Sequence, residues 1–252
     1  LFRSYFGEDA VAVASADTTS DLYRGRQSGT TFDAGDLAWG KTYFWRVDEI
    51  DASDPESPWK GTVWSSTTAD FLSVDDFESY TDDIDAEETI WHAWIDGLTN
   101  NTGSYVGYEN AANGTFAETT VVHGGGQSMP VTYDNTESPY YSEVERAWTT
   151  AQNWTVDGVT TLSLFVRGRT SGAETSLYVA LEDSNNKSAV VAHPDNTVVT
   201  SPEWIEWQIP LSSFTGVSAT KIRTMCIGVG SRTSPVQGGT GVIYIDDIRL
   251  IK

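Results

Sequence analysis

Apolar residues occur along this chain in short runs in which every second position is apolar, and Gly, Asn, Asp, Ser and Pro separate the runs. Residues 161–167 and 177–182 follow this pattern, with aliphatic residues alternating with polar, aromatic or charged ones. A period of two is typical of β-strands that bury one face. The best helical candidate, residues 9–16, spans only about two turns. The chain is therefore predicted to be all-β.

The first 69 residues contain a feature of β-sandwiches. Leu37 is followed by a turn and then by Tyr43, which opens an alternating strand through Val47. This order is that of a tyrosine corner, in which the tyrosine hydroxyl bonds back to upstream backbone. The segment resembles the second half of a fibronectin type III domain whose first strands are missing. The resemblance implies a partial β-sandwich over residues 1–69, either truncated or completed by other strands.

Residues 70–252 read as one long β-rich segment of short strands. Their number and spacing are typical of a single jelly roll. No charge run, Pro-rich linker or low-complexity tract separates this segment from the first. We predict an all-β protein in which a partial fibronectin type III-like β-sandwich is followed by a β-jelly-roll sandwich.

Charge and composition exclude several kinds of partner. The formal net charge is −21, which repels nucleic-acid phosphates and anionic lipids, so we expect no nucleic-acid partner and no membrane insertion. Either the acidic residues keep the protein soluble, or some of them bind divalent cations. Cys226 stands alone in an apolar run and is predicted to be a small core residue. The sequence begins abruptly at Leu1, as if in the middle of a domain, so we expect a piece of a larger multidomain chain. We also expect a monomer.

Three motifs mark the second segment. Asp76-Phe77-Glu78 lies near its start, a Gly-rich turn at 123–127 leads into a strand, and 244–248, Tyr-Ile-Asp-Asp-Ile, lies near its end. In this order they resemble the jelly-roll carbohydrate-binding modules of bacterial secreted glycan-degrading proteins, which also occur in large secreted proteins of planctomycete-type bacteria. The resemblance implies polysaccharide binding and a secreted or cell-surface location.

The same resemblance implies a structural calcium where the first and last strands of the module meet. The calcium ligands that the resemblance implies in this sequence are the carboxylates of Asp76, Glu78 and Asp246 and a backbone oxygen of Gly126 or Gln127. Strand alternation agrees, because Asp246 shares a row with apolar residues and a buried carboxylate needs neutralisation. The alternative is that these acids are exposed strand ends or turn caps.

A sugar-binding site is expected to contain aromatic rings, on whose flat apolar surface a sugar stacks, and a few polar groups that fix the orientation of the sugar. In two runs, 161–167 and 177–182, an aromatic and a charged residue share one side of the strand, and aliphatic residues share the other side. We predict that these two runs are adjacent strands of an open concave sheet. The alternative is an Arg167–Glu182 ion pair beside a second packed layer. The candidate ligand-binding residues are Trp91, Trp94, Tyr105, Tyr108, Tyr140, Tyr141, Arg146, Phe165, Arg167, Tyr178 and Glu182.

No motif in the sequence indicates catalysis. The three histidines lack metal-ligand spacing, and there is no Gly-x-Ser-x-Gly turn or phosphate-binding loop. We predict a non-catalytic module that tethers a larger secreted protein to polysaccharide. Two alternatives stay open: a structural or adhesive spacer without a ligand, and a jelly-roll polysaccharide lyase or glycoside hydrolase. Exposed coplanar rings favour binding, whereas a deep cleft with converging Tyr, His or carboxylates favours an enzyme.

Overall fold

The computed structural model describes residues 1–108, 115–173 and 175–252. They form two compact units, Leu1–Phe71 and Leu72–Lys252, and the predicted division between residues 69 and 70 lies close to this one. Nearly all regular structure is β, as the alternating pattern predicted. Within the described ranges, every helix is too short or too polar to cross a bilayer.

The first unit is built on one antiparallel sheet. Its strands are β1 (Phe2–Gly7), β2 (Tyr23–Gln27), β3 (Thr42–Glu49) and β4 (Val63–Thr67), in the spatial order β2-β1-β3-β4. One helix, α1 (Ala10–Ser15), lies within the predicted helical segment. The Asp9 side chain accepts the Ala12 N–H (2.8 Å) and so caps the start of α1.

Arg46 holds α1 against one face of this sheet. The buried guanidinium donates to the carbonyl oxygens of Val13 (2.6 Å), Ala14 (2.6 Å) and Ala16 (2.7 Å). It also pairs with Asp48 (2.8 Å). Since the last carbonyls of a helix have no partners inside the helix, one side chain satisfies the end of α1 and ties it to β3.

The predicted tyrosine corner has its hydrogen bond. The Ala38 N–H donates to the Tyr43 hydroxyl (2.9 Å), so the turn before β3 is tied to the start of that strand. The likeness of the unit to fibronectin type III stays a prediction, because its described residues form a single sheet.

The sheet face opposite α1 is rich in aromatic rings. Phe6 on β1 pairs with Trp45 on β3, which pairs with Trp64 on β4. Paired residues of antiparallel strands project to the same side, so the three rings form a row across three strands. We call this surface the ring face; its apolar members are Phe2, Phe6, Phe32, Trp45, Val47, Trp59 and Trp64.

The second unit is a sandwich of two antiparallel sheets. The strands are β5 (Leu72–Asp75), β6 (Trp94–Ile95), β7 (Ser104–Val106), β8 (Met129–Asp134), β9 (Ser142–Gln152), β10 (Thr161–Arg167), β11 (Leu177–Asp183), β12 (Ser188–Ala192), β13 (Ile205–Pro210), β14 (Ile222–Val229) and β15 (Thr240–Ile251). One sheet has the order β13-β10-β15-β8-β7 with β5 also paired to β15, and the other has the order β12-β11-β14-β9-β6. Its α-helices are α2 (Ile90–Ala93) and α3 (Gly97–Asn100), and its 3₁₀ turns are Val156–Gly158, Asn196–Thr200, Leu211–Ser213 and Ala219–Lys221.

Two central strands of the sandwich, one in each sheet, turn aliphatic rows toward its core. On β10 the inward row is Leu162, Leu164 and Val166, and all three are fully buried. The matching row on β11 is 177, 179 and 181, which is Leu, Val and Leu. Both rows match the alternation read from the sequence. The predicted pairing of the first and last strands of this unit is confirmed, because Asp75 on β5 lies opposite Ile248 on β15.

Candidate functional site

One face of the β12-β11-β14-β9-β6 sheet points away from the aliphatic core and carries polar side chains. On β11 this is the row of Tyr178, Ala180 and Glu182. Register places Ala180 opposite Cys226 and Cys226 opposite Glu145, so these side chains share the face. We call it the open face; its members are Glu143, Glu145, Tyr178, Ala180, Glu182, Val190, Cys226 and Arg232.

Glu143 organises one end of the open face. Its carboxylate accepts the Tyr178 hydroxyl (2.7 Å) and pairs with Arg232 (3.1 Å), which lies in the loop after β14. Burial, and then the Glu143 charge, raise the pKa of Tyr178, so this hydroxyl stays a donor. The Tyr178 ring lies over Gly228, where an added Cβ would be only 2.1 Å from the ring. Glycine is therefore required at that position.

A cavity of about 160 Å³ opens beside this cluster. Glu145 and Glu182 face it across a small apolar floor provided by Ala180, and Arg232 supplies the one positive charge of its lining. Burial, and then the Glu143 and Glu182 charges, raise the pKa of Glu145 above its ordinary 4.5. The remaining lining residues are Leu181, Ser188, Thr224 and Cys226.

The chemistry of this cavity suits hydroxyl groups. Ionised carboxylates are strong hydrogen-bond acceptors, and a guanidinium, a serine and a threonine supply donors. Glu143, Glu145 and Cys226 also bring three potential metal-ligand atoms within 4.8 Å of one another. Burial raises the pKa of the Cys226 thiol, however, which disfavours the thiolate that a metal would bind. Cys226 is buried, as its apolar surroundings predicted.

The prediction that Phe165 and Arg167 share a concave sheet with Tyr178 and Glu182 is wrong. β10 and β11 belong to different sheets, so the two rows lie on different faces and the alternative Arg167–Glu182 cross-strand pair is not formed. Phe165 is instead stacked under His123, with ring centroids 3.5 Å apart. Alternation assigns a residue to one side of its own strand, but it does not say which strand is the neighbour.

Trp94 is fully buried, the Arg146 side chain is 23% exposed, and both bind Asp75. The Asp75 Oδ2 atom accepts from Trp94 Nε1 (2.7 Å), from the Tyr80 hydroxyl (2.6 Å) and from Arg146. Its Oδ1 accepts the Phe77 N–H (2.9 Å). This network ties the first strand of the sandwich to β6 and β9, and both predicted ligand-binding residues are needed for it.

Two other predicted rings, Trp91 and Tyr105, are brought together. They line a second cavity of about 160 Å³ at the edge of the sandwich, next to Leu98, whose exposed fraction is 80%. Tyr108 bonds to Glu118 and is half-buried. This edge cavity is separate from the cavity of the open face, since it lies beside β6 and β7.

Tyr140 and Tyr141, which follow Pro139, are both half-buried. Tyr141 packs against the cluster of Tyr178, Ala180 and Cys226 on the open face. Its ring therefore borders the candidate site. Tyr140 has a φ of 66°, a backbone conformation typical of a turn.

Only two of the predicted calcium-binding carboxylates, those of Glu78 and Asp246, contact the Gly-rich turn. β5 ends at Asp75, so Asp76 and Glu78 lie beyond the strand, and Asp76 is exposed. Glu78 Oε1 accepts the N–H groups of Gly126 and Gln127 (2.9 Å each). Asp246 Oδ2 accepts backbone N–H groups of the same Gly-rich turn, and burial raises the pKa of Asp246 to about 6.

The carboxylates at this turn fit a hard cation by their chemistry, but the turn offers N–H groups where a carbonyl oxygen was expected. Gly125 has a φ of 65°, and an added Cβ there would lie 2.3 Å from Glu78 Oε1. The turn and the carboxylate are thus fitted closely to each other. The calcium site stays a prediction.

Sequence reasoning missed Glu143, Glu145 and Arg232. The signal was present for the two glutamates, because they alternate with the core residue Val144 on a strand and so must face away from the core. The same alternation puts Arg146 on the core side. Arg232 gave no signal, since it lies in a loop whose path the pattern does not define.

Residues 87–252 match the model of the family Carbohydrate binding domain 30, which is more than half of the chain. Similar solved structures include a family 11 carbohydrate-binding module from Clostridium thermocellum in complex with a β-1,3-1,4-mixed-linked tetrasaccharide (19% identity, 72% of this chain, 94% of that chain, TM-score 0.43). A family 30 carbohydrate-binding module has 12% identity, with 60% of this chain and 82% of that chain covered and a TM-score of 0.43. An exo-β-agarase has 11% identity over 72% of this chain and 25% of that chain, with a TM-score of 0.48. No curated protein matches the chain.

Proposed function

Because the chain belongs to the Carbohydrate binding domain 30 family, we propose that its open face binds a polysaccharide and tethers a larger secreted bacterial protein to it. Carbohydrate binding follows from the family. The observation that supports the location is the cavity on the open face, where Glu145 and Glu182 stand beside Arg232 over an apolar floor. A site of this kind is small, concave and supplied with a few placed polar groups.

The two glutamates accept hydrogen bonds from sugar hydroxyls, and Arg232 donates to ring or hydroxyl oxygens. Glu143 holds Arg232 and Tyr178 in place through two contacts at ordinary hydrogen-bond length. The surplus of carboxylates favours uncharged sugars over uronic or sulfated ones, since like charges repel. A shallow site with few contacts gives dissociation constants on the order of micromolar to millimolar.

Affinity electrophoresis through gels containing mixed-linkage β-glucan, xyloglucan, agarose or polygalacturonate tests this proposal. We expect retardation in at least one neutral gel and its loss in the Glu145→Ala, Glu182→Ala double variant. The exposed Val11→Ala serves as the control. If no gel retards the native chain, the spacer without a ligand takes the place of this proposal. Retardation that the double variant leaves unchanged would place binding on another surface.

The proposed module does no chemistry of its own. The one close histidine–carboxylate pair of the described residues, His123 with Asp247 (2.6 Å), lies outside the open face, at the Gly-rich turn. Release of reducing sugar from any polysaccharide that the chain binds would contradict this part of the proposal and favour a hydrolase or lyase.

We also propose that calcium binds at the Gly-rich turn through Glu78 and Asp246, with Asp76 close by in sequence. The buried Asp246, whose pKa is raised to about 6, supports this, because a cation would offset its burial. A cation that binds only the folded state raises the melting temperature. We expect chelator to lower that temperature and calcium to restore it, and an unchanged melting temperature in chelator would contradict the site.

A further inference from the structure

The edge cavity beside β6 and β7 is built from side chains that the proposed site on the open face does not use. Its rings are Trp91 and Tyr105, and Leu98 at its rim is 80% exposed. Trp91 is held by an edge-on contact with Phe116, with ring centroids 4.3 Å apart. The remaining lining residues are Ile95, Asp96, Thr99 and Val106. Two rings, a carboxylate and a hydroxyl around one small concavity suit a sugar, which stacks on rings and is oriented by polar groups.

Asp96 gives the edge cavity an acceptor that is already fixed in place. Its Oδ1 atom accepts the Leu98 N–H (3.0 Å), and its Oδ2 atom accepts the Val106 N–H (2.9 Å). These two bonds tie the carboxylate to α3 on one side and to β7 on the other. Because a carboxylate has about four acceptor positions, both oxygens keep the capacity to accept a sugar hydroxyl without a change in the side chain.

The strand register places the edge cavity in line with the open face. Ala180 on β11 lies opposite Cys226 on β14, and Cys226 lies opposite Glu145 on β9. Glu145 in turn lies opposite Ile95 on β6. Residues opposite one another on antiparallel strands project to the same side, so Ile95 continues this row and also lines the edge cavity. Trp94, the other residue of β6, is fully buried, as alternation requires.

The length of the row decides what kind of ligand reaches both cavities. From Ala180 to Ile95 it crosses four neighbouring strands, and three spacings of ~4.8 Å give about 14 Å. A disaccharide seated in the open-face cavity is too short to extend past Ile95. A chain of several sugars that lies across the strands extends that far and enters the edge cavity.

We propose that the edge cavity is a distal subsite for the polysaccharide that the open face binds. Trp91 and Tyr105 supply the stacking surface for one of its sugars, and Asp96 accepts a hydroxyl of that sugar. This inference rests on the proposed binding at the open face and deepens it, because it makes the ligand an extended chain of several neutral sugars. The distal contact strengthens binding, since it forms within a complex that is already assembled.

The test compares a disaccharide and a hexasaccharide prepared from the neutral polysaccharide that retards the chain. Affinities come from calorimetry for the hexasaccharide and from NMR titration, which detects weak binding, for the disaccharide. The native chain should bind the hexasaccharide more tightly. Trp91→Ala should weaken hexasaccharide binding about tenfold, which corresponds to ~1.4 kcal/mol, and leave disaccharide binding unchanged.

A second variant separates the subsite from the packing of Trp91 against Phe116. Leu98 is exposed, so Leu98→Ala should leave the melting temperature unchanged. It should weaken hexasaccharide binding about threefold, because the sugar covers less apolar surface. Val11→Ala, an exposed site in the first unit, is the control and should bind both oligosaccharides as the native chain does.

The outcomes distinguish failure of this inference from failure of the proposed function. Native hexasaccharide affinity in both Trp91→Ala and Leu98→Ala overturns the subsite, and so does equal affinity of the native chain for the two lengths. An equal loss for both lengths in Trp91→Ala, with native affinity in Leu98→Ala, shows that Trp91 acts only through the fold and overturns it as well. In these cases, loss of binding in Glu145→Ala, Glu182→Ala still supports the open face. A native chain that binds none of the gels removes the proposed function, and the subsite with it.

Discussion

Asp75 offers the sharpest test of the interior network of the second unit. The change Asp75→Asn keeps the shape of the side chain but removes its charge. Asp75 Oδ2 receives three donors, from Trp94, Tyr80 and Arg146, and an amide in that position can present an acceptor on one side only. The variant therefore leaves the Arg146 guanidinium without a counter-ion and at least one other donor unpaired.

The expected loss of stability can be estimated from these contacts. Breaking a buried ion pair by removing one partner costs ~3–5 kcal/mol. The Arg146 side chain is 23% exposed, so water compensates part of the loss and we expect the lower value, about 3 kcal/mol. With an m-value near 3 kcal/mol/M for urea, the midpoint should fall by about 1 M.

Urea unfolding followed by tryptophan fluorescence measures this shift. Asp85→Asn is the control, because Asp85 is exposed in the same segment of the chain, and its midpoint should stay near that of the native chain. The reasoning is refuted if the midpoint of Asp75→Asn lies within about 0.2 M of the control midpoint, which corresponds to a difference of ~0.6 kcal/mol or less.

Three further predictions concern other parts of the molecule. Arg46→Met should destabilise the first unit by ~3 kcal/mol or more in thermal unfolding, since it leaves Asp48 unpaired and the end of α1 unsatisfied. Gly228→Ala should lower stability by ~1–3 kcal/mol and weaken glycan binding, because the added methyl group displaces the Tyr178 ring. Binding should weaken as the pH is lowered from 7 toward 4, with loss beginning above pH 4.5, because the ionised Glu145 carboxylate accepts stronger hydrogen bonds than the protonated form and its pKa is raised by burial, Glu143 and Glu182. Titration calorimetry on Glu145→Gln should show a smaller pH dependence.

The sequence allowed the fold class to be predicted because alternation is a local property of each strand. The rows of β10 and β11, the short helix at 9–16 and the tyrosine corner at Tyr43 all follow from neighbouring residues. Three motifs also carried the likeness to carbohydrate-binding modules, which the match over residues 87–252 confirms.

The site was harder to predict because it depends on which strands become neighbours. Phe165 and Tyr178 lie in separate sheets, although their strands follow one another in sequence. Arg146 was expected to reach a ligand, and instead it meets Asp75, which is 71 residues away in the chain. Alternation with Val144 puts Arg146 on the core side of its strand, but no periodicity predicts which distant residue it meets there.

Binding through the open face is the central claim, and titration calorimetry with a neutral polysaccharide that retards the chain tests it most directly. The account predicts measurable heat for the native chain and for Val11→Ala, and its strong reduction in Glu145→Ala, Glu182→Ala with an unchanged melting temperature. Native affinity in that double variant would contradict the account.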